Sequence, residues 1–388
     1  MLNIKEVKDK FPIGFYNDLH PDFSINFQMN RFYNWSNDEN MLKEMKEVSL
    51  IIHNYEEYIN EFLKLYEKAL QEGNKLKAAY YLRGAEFFMK GSDSKKQTSR
   101  KKFISLMQEH YHIKKDHYFK VPYENGFLST YRFTPENPKG TFVMFGGFDS
   151  YAEELFAIAI PIKELGYDVI CFEGPGQGST LEDYKIPMTH EWEKPVKSIL
   201  DFFQLDNVTL LGISLGGCFV LRAAAFESRV KRVIADDICT DFYQVALRQV
   251  PLALKEKIDA LMSEHNSAEL NALFEHLAKE SLMLEWAFNQ GMQTTGSKTP
   301  YEFLSKTKLY RTAEISEKIE QDVLLLAAQK DHYIPLSQFF EQGQLLKNVH
   351  SLTMRMFTEK ESAQNHCHIG NVGLSMMAIL NWLEDIQQ

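Results

Sequence analysis

No pair of cysteines at C-x-x-C spacing occurs in this chain; Cys171, Cys218, Cys239 and Cys367 are its only four and lie far apart. That pattern argues against a disulfide framework and fits reduced thiols. No apolar run approaches the roughly 18 residues that a membrane-crossing helix needs, so no membrane partner is expected. The opening stretch, MLNIKEVKDKFPIG, lacks the apolar core of a secretory leader. Reduced thiols and the missing leader together place the expected location in the cytoplasm. Basic runs are also missing. Lys and Arg number 43 against 53 Asp and Glu, a net charge of −10, which speaks against a nucleic-acid backbone or an anionic membrane as partner. No fixed-period repeat is found, so repeat architectures drop out.

The 388 residues suffice for one large α/β domain with an accessory unit, or for two to three average domains. Aromatics are plentiful, with 28 Phe and 18 Tyr. They either fill a large core or line a pocket for a planar or apolar ligand.

Residues 1–115 read as a helical region. NMLKEMKEVSLIIHNYEEYINEFLKLYEKALQEGN keeps apolar residues three and four apart up to a stop at Gly73-Asn74. KLKAAYYLRGAEFFMK resumes the pattern, and after a polar loop KFISLMQEHYHI continues it. The texture changes near His117. HYFKVPY, GFLSTYRF and GTFVMFGG are short strand-like runs bounded by turn signals, and YDVICFEG, NVTLLGIS and RVKRVIADD follow as apolar strands separated by helices. Such alternation predicts a mostly parallel sheet covered on both faces. Residues 238–312 are Leu-, Met- and Phe-rich helical text; the sheet resumes at QDVLLLAAQKDHYIP and HSLTMRMF, and NVGLSMMAILNWLEDI closes the chain as a helix. The expected division is a helical region at 1–115 and an α/β core at 116–388 carrying a cap insertion at 238–312, set over the sheet edge where such folds place ligands.

GISLG, Gly212–Gly216, is a G-x-S-x-G with a strand before it and a helix after it. A serine on so sharp a turn needs small neighbours, and the helix that follows aims its first amides at the reacting group. An acid and a base should follow in that order. Asp331 ends a strand 117 positions after Ser214, and NHCHIG, 365–370, lies beyond the last strand and offers His366 and His368. An oxyanion hole would use the amide of Leu215 and that of Gly147 or Phe148 in the loop GGFDSYAEEL. Competing motifs are weaker. H-x-H at 366–368 has no further ligand at metal spacing, HEWEK at 190–194 lacks the second histidine of a zinc motif, and FEGPGQGST lacks dinucleotide-loop spacing. The residues therefore predict chemistry with no metal and no cofactor.

GGFDSYAEEL, FEGPGQG, GISLGG, KDHYIP and NHCHIGN together resemble the FrsA-like branch of the α/β-hydrolases, which includes 2,6-dihydroxypseudooxynicotine hydrolase and polyketide-shortening hydrolases. The resemblance covers about residues 117–388 by motif and the N-terminal region by texture. It implies an α/β-hydrolase fold, with Ser214 as nucleophile, Asp331 as acid and His366 as base. His368, a position usually held by glutamine in that branch, is implied to be a bystander. Its closeness to the closing helix, whose first amides disfavour an imidazolium, is a second reason to expect His366 as the base.

Members of the branch split C–C bonds beside ketones or hydrolyse esters, and a non-catalytic interaction role has been proposed within it. Three functions therefore stay open: a C–C hydrolase shortening a polyketide or aryl ketone, an esterase or acylaminoacyl-peptidase-like enzyme, and a binding protein on a hydrolase scaffold. The expected partner is a small acyl or ketone molecule, possible homodimerisation being left open. Phe242, Tyr243, Trp286 and Phe288 are the aromatic residues of the cap expected to touch it.

Overall fold

The computed structural model describes residues 3–386. Six helices come first: α1 (Ile4–Lys8), α2 (Phe23–Ser36), α3 (Asn40–Ser49), α4 (Tyr55–Gln71), α5 (Lys75–Phe88) and α6 (Lys96–His110). The periodic stretch that ends at Asn74 is two helices rather than one. Asn54 takes an extended backbone and accepts the Glu57 amide, while the Glu57 carboxylate accepts the His53 amide at 2.6 Å. Reciprocal capping of this kind starts a new helix inside an unbroken apolar pattern. Leu50, 81% exposed, is left in the break.

Eight strands then form one sheet: β1 (Tyr118–Tyr123), β2 (Gly126–Phe133), β3 (Thr141–Phe145), β4 (Asp168–Phe172), β5 (Val208–Ile213), β6 (Val230–Asp236), β7 (Asp322–Ala328) and β8 (Ser351–Phe357). Their order is β1-β2-β4-β3-β5-β6-β7-β8. The β1–β2 and β2–β4 pairs are antiparallel and all others parallel. Between them run α7 (Phe156–Glu164), α8 (Gly178–Glu182), α9 (Glu193–Phe203) and α10 (Gly216–Phe226). Five more helices separate β6 from β7: α11 (Phe242–Ala246), α12 (Leu252–Ser263), α13 (Ser267–Glu280), α14 (Leu282–Thr295) and α15 (Pro300–Thr307). The last two are α16 (Leu336–Leu345) and α17 (Val372–Ile386).

Alternation along the strands splits the core in two. Phe142 and Met144 of β3 and Leu324 and Leu326 of β7 face α7, α17 and the N-terminal helices. Val143 and Phe145, with Val323 and Leu325, face α9, α10 and the helices inserted after β6. With both faces covered, β4 is buried at every position and after Asp168 reads as a continuous apolar run.

The N-terminal helices are joined to the sheet by charge as well as by apolar contact. Arg83 of α5 donates from Nε to Glu154 at 2.8 Å, from Nη1 to Glu86 at 2.6 Å and from Nη2 to the Asp149 carbonyl at 2.6 Å. Arg31 of α2 reaches the other Glu154 oxygen at 2.7 Å and Asp149 at 3.3 Å. Lys96 pairs with Glu86 at 2.7 Å. Arg83, Glu86 and Glu154 are almost fully buried, so their ionised forms depend on one another: burial alone would neutralise Glu154, yet the two arginines hold its carboxyl below the usual range. Arg83→Met should lower the unfolding free energy by about 3 kcal/mol, because it strands buried carboxylates. Urea titration of the two proteins measures this directly. A loss too small to resolve would show that Arg31 and Lys96 suffice to neutralise the acids.

Candidate active site

Ser214 follows β5 directly and has φ +63°, a left-handed conformation that a residue with a side chain adopts only under constraint. The constraint is steric and can be read from its neighbours. A β-carbon on Gly212 would collide with the Gly216 carbonyl, and one on Gly217 would sit on the Asp237 carbonyl oxygen. The Ser214 amide is held by the Asp236 carbonyl at 2.6 Å. This tight turn pushes Ser214 Oγ out above the sheet.

His366 lies in a short 3-10 turn, 366–368, after β8. Its Nε2 is 2.8 Å from Ser214 Oγ and its Nδ1 is 2.6 Å from Asp331 Oδ2. The other oxygen of Asp331 accepts the amides of Tyr333 and Ile334 at 2.7 and 2.9 Å, which fixes the carboxylate plane. Burial raises the Asp331 pKa, but the charge and hydrogen bond of His366, with the Ile334 amide, outweigh it and bring the group down to about 2. For His366 the balance runs the other way: burial opposes its charge, and Asp331 overcomes that and lifts it well above the ordinary imidazole value. A third histidine, His332, is wedged among Phe23 and Phe27 with ring centroids 4.8 and 4.4 Å away. Burial pushes its pKa down to about 3, so it is neutral.

The loop after β3 rests on this turn. A β-carbon on Gly147 would lie 2.6 Å from the Leu215 amide nitrogen and 2.9 Å from the Ile213 carbonyl. Gln177 Nε2 donates to the carbonyls of Gly146 and Gly147 at 2.8 and 2.7 Å. With those carbonyls turned to Gln177, the amides on the opposite edges of the same two peptide planes, those of Gly147 and Phe148, face away from it. FEGPGQG thus serves the site through its glutamine, by setting peptide orientation.

Ser214 and His366 open into a cavity of about 120 Å³ whose wall is overwhelmingly apolar. Separate parts of the chain build that wall, among them Phe27 and Trp35 of α2, Phe148 of the loop, Phe242 and Trp286 of the inserted helices, and Tyr333 after β7. Of the four cap aromatics named from the sequence, Phe242 and Trp286 are therefore at the cavity. Tyr243 and Phe288 are not. Tyr243 turns outward, its hydroxyl donating to Asp259 at 2.7 Å and Lys308 lying over its ring. Phe288 packs inside the inserted helices against Phe274, with centroids 4.1 Å apart. Helical periodicity makes both apolar-facing but cannot say which side the neighbour lies on.

The family model described as alpha/beta hydrolase fold matches residues 141–350. The chain belongs to that family. Among curated proteins it is similar to hydrolase acrC of Aspergillus aculeatus, 31% identical over 211 residues, covering 50% of this chain and 48% of that one. It is also similar to hydrolyase poxO of Penicillium oxalicum, 30% identical over 236 residues and 55% of each chain. The chain thus spans about half the length of these relatives. Among solved structures, 2,6-dihydroxy-pseudo-oxynicotine hydrolase superposes with a TM-score of 0.61 at 19% identity, over 94% of this chain and 95% of that one. AbyA5 gives 0.62 at 14% identity over 84% of each. At such identities the likeness is one of fold.

This α/β hydrolase holds two further acids that the sequence reading passed over. Asp236 and Asp237 end β6 beneath the serine, both buried. Asp237 Oδ2 accepts the Cys367 amide at 2.8 Å and lies 3.4 Å from His366 Nδ1. His368, fully buried, brings Nε2 to 2.7 Å from Asp236 and 3.2 Å from Asp237. These are ion-pair distances without straight hydrogen-bond geometry, since Nε2 makes no hydrogen bond. The first amides of the closing helix do not decide the charge of His368: the two carboxylates overcome burial and raise it to about 9. The signal was the pair of acids in RVKRVIADD, unreadable without knowing that β6 ends under Ser214. Asp237 with His366 and Cys367, and Asp236 with Asp237 and His368, each cluster potential metal-ligand atoms. Both histidine nitrogens concerned already lie within 2.7 Å of a carboxylate.

A raised His368 pKa stabilises the fold fully below the unfolded histidine value and ceases to do so as pH climbs through about 9. Melting temperature should fall across that window in the wild type. His368→Gln should melt lower at neutral pH, by the equivalent of about 3 kcal/mol, and lose less on the way to pH ~9. Equal slopes in both proteins would show that His368 carries no charge in the fold.

Proposed function

We propose that Ser214, Asp331 and His366 are a catalytic triad and that the chain hydrolyses a small acyl or ketone substrate through an acyl-enzyme. The observation that carries this is the unbroken contact from Asp331 through His366 to Ser214 Oγ, at 2.6 and 2.8 Å, opening into an apolar cavity. His366 Nε2 takes the Ser214 proton as Oγ bonds to the substrate carbonyl carbon. Asp331 keeps the imidazole in its working tautomer and stabilises the imidazolium. The amides of Leu215 and of Gly147 or Phe148 receive the oxyanion.

The substrate bond we propose is a C–C bond beside a ketone, as in retro-Claisen shortening of a polyketide or aryl ketone. The carbonyl re-forms, the C–C bond breaks, and its electron pair is delocalised as the enolate of the neighbouring ketone. That enolate takes the proton from His366. Water, deprotonated by the same histidine, then releases the acid and restores Ser214. Three things support this choice: the resemblance carried by GGFDSYAEEL, GISLGG and NHCHIGN, the apolar wall, and a fold shared with a hydrolase named for 2,6-dihydroxy-pseudo-oxynicotine. In this reading residues 1–115 and the insertion at 238–312 enclose the pocket over the α/β core.

A fluorophosphonate probe should label the wild type at Ser214 and leave Ser214→Ala unlabelled, and the variant should fold and lose turnover down to the residual 10³–10⁴-fold over water, order of magnitude, that binding and the oxyanion donors supply. Labelling at another residue would defeat the triad reading. The pH profile gives a second check. His366 must be neutral to accept a proton, so kcat/KM should rise with pH along a limb above the ordinary imidazole range, where Asp331 holds it. Asp331→Asn should shift that limb to lower pH and reduce kcat by roughly 10⁴-fold. A limb that stays in place would exclude Asp331 as the partner of the base.

A further inference from the structure

The cavity at Ser214 is small. At about 120 Å³ it falls short of the ~150 Å³ pocket that accepts a single benzene ring, whereas the substrate class proposed above is larger. A second, roomier cleft of about 550 Å³ lies between the N-terminal helices and α14. Tyr55, Phe87 and Phe88 line it beside the amide of Asn289 and the ion pair of Lys90 with Glu285. Aromatic surface beside amide and charged side chains suits an oxygenated aromatic or alkyl ketone, whose flat or apolar body needs cover and whose oxygens need partners.

Trp286 belongs to the walls of both spaces. Its indole stacks on Phe87, with centroids 4.8 Å apart and planes 17° from parallel. The indole nitrogen is buried and, among the described residues, has no hydrogen-bond partner. Stacking and packing alone hold the ring, so it can turn aside without breaking a polar contact. Gln290 also borders the cleft, and its Nε2 lies 3.5 Å from the carbonyl of Phe148 in the loop beside Ser214.

We propose that this cleft is the second compartment of the substrate site and that Trp286 is the partition between the two. The cleft takes the distal part of an acyl or ketone substrate too long for the cavity at Ser214, and Trp286 yields to admit it. The inference rests on Ser214 being the nucleophile. It makes Trp286 a specificity-determining residue and assigns a role to the junction of α4, α5 and α14.

The test compares p-nitrophenyl acetate with p-nitrophenyl octanoate by kcat/KM, in proteins checked for folding by thermal melting. Trp286→Ala should raise the octanoate-to-acetate ratio by roughly tenfold or more, because the partition is gone. Trp286→Phe, which keeps an aromatic stack, should move it less. Asn289→Trp, which fills the cleft from its rim, should lower the ratio, and this variant decides the matter if Trp286→Ala does not fold. Ratios equal to wild type in Trp286→Ala or in Asn289→Trp overturn the second compartment and leave the serine mechanism standing. A wild type that turns over neither ester and takes no fluorophosphonate overturns both.

Discussion

A serine at φ +63° that must end a strand and start a helix leaves its surroundings little freedom. The turn closes only because glycines at 212, 216 and 217 let backbone press on backbone, and because the Asp236 carbonyl receives the Ser214 amide. That last bond fixes the end of β6 directly beneath the serine, and with it two buried acidic side chains. Buried carboxylates need a cation or a proton. His368 supplies the charge, and the Cys367 amide binds Asp237 from the same short turn. The segment that presents His366 is thus tied to the floor of the tight strand-to-helix turn at Ser214, the elbow of this site. Strain at one residue and the placement of the histidine beside it share a single set of contacts.

The cavity has a different logic. Neither the sheet nor the helices inserted after β6 would enclose Ser214 alone; α2 contributes Phe27 and Trp35 from a part of the chain nearly two hundred residues earlier. Holding α2 and α5 against the loop after β3 falls to Arg31 and Arg83, which grip Glu154 and Asp149 at the entrance to that loop. Apolar packing alone could slide. A forked guanidinium bonded on several edges cannot do so without leaving acids unpaired. The placement of α2 and α5 is therefore set by charge, while the wall they help to complete is aromatic.

The strands were legible because each is a short apolar run between turn residues, and the parallel order followed from their alternation with helices. The elbow could be read because its chemistry is local: small residues, a strand before, a helix after. Ser214, Asp331 and His366 lie in the segments that follow β5, β7 and β8, where chain order alone predicts proximity, and the structure brings them into hydrogen-bond reach. Contacts between distant segments left no trace. Nothing near Arg31, Arg83 or His368 announces a carboxylate more than fifty residues away. The same holds for Tyr243 and Phe288, whose helices show an apolar face without saying whether a cavity or another helix fills it. The break at Leu50–Asn54 was missed for a separate reason, since capping by Asn54 overrode a periodic pattern.

The ionic grip between α2, α5 and the loop after β3 also decides what can be exchanged between relatives. The span shared with the family at large, residues 141–350, contains Ser214, Asp331 and Glu154 but neither Arg31 and Arg83 nor His366. A chimera that takes only this span from the present chain depends on its other parent for the counter-ions of Glu154 and for the imidazole beside Ser214. Recombination that preserves this protein has to carry α2 and α5 together with the loop at 146–154, as one inherited block made of two pieces of chain.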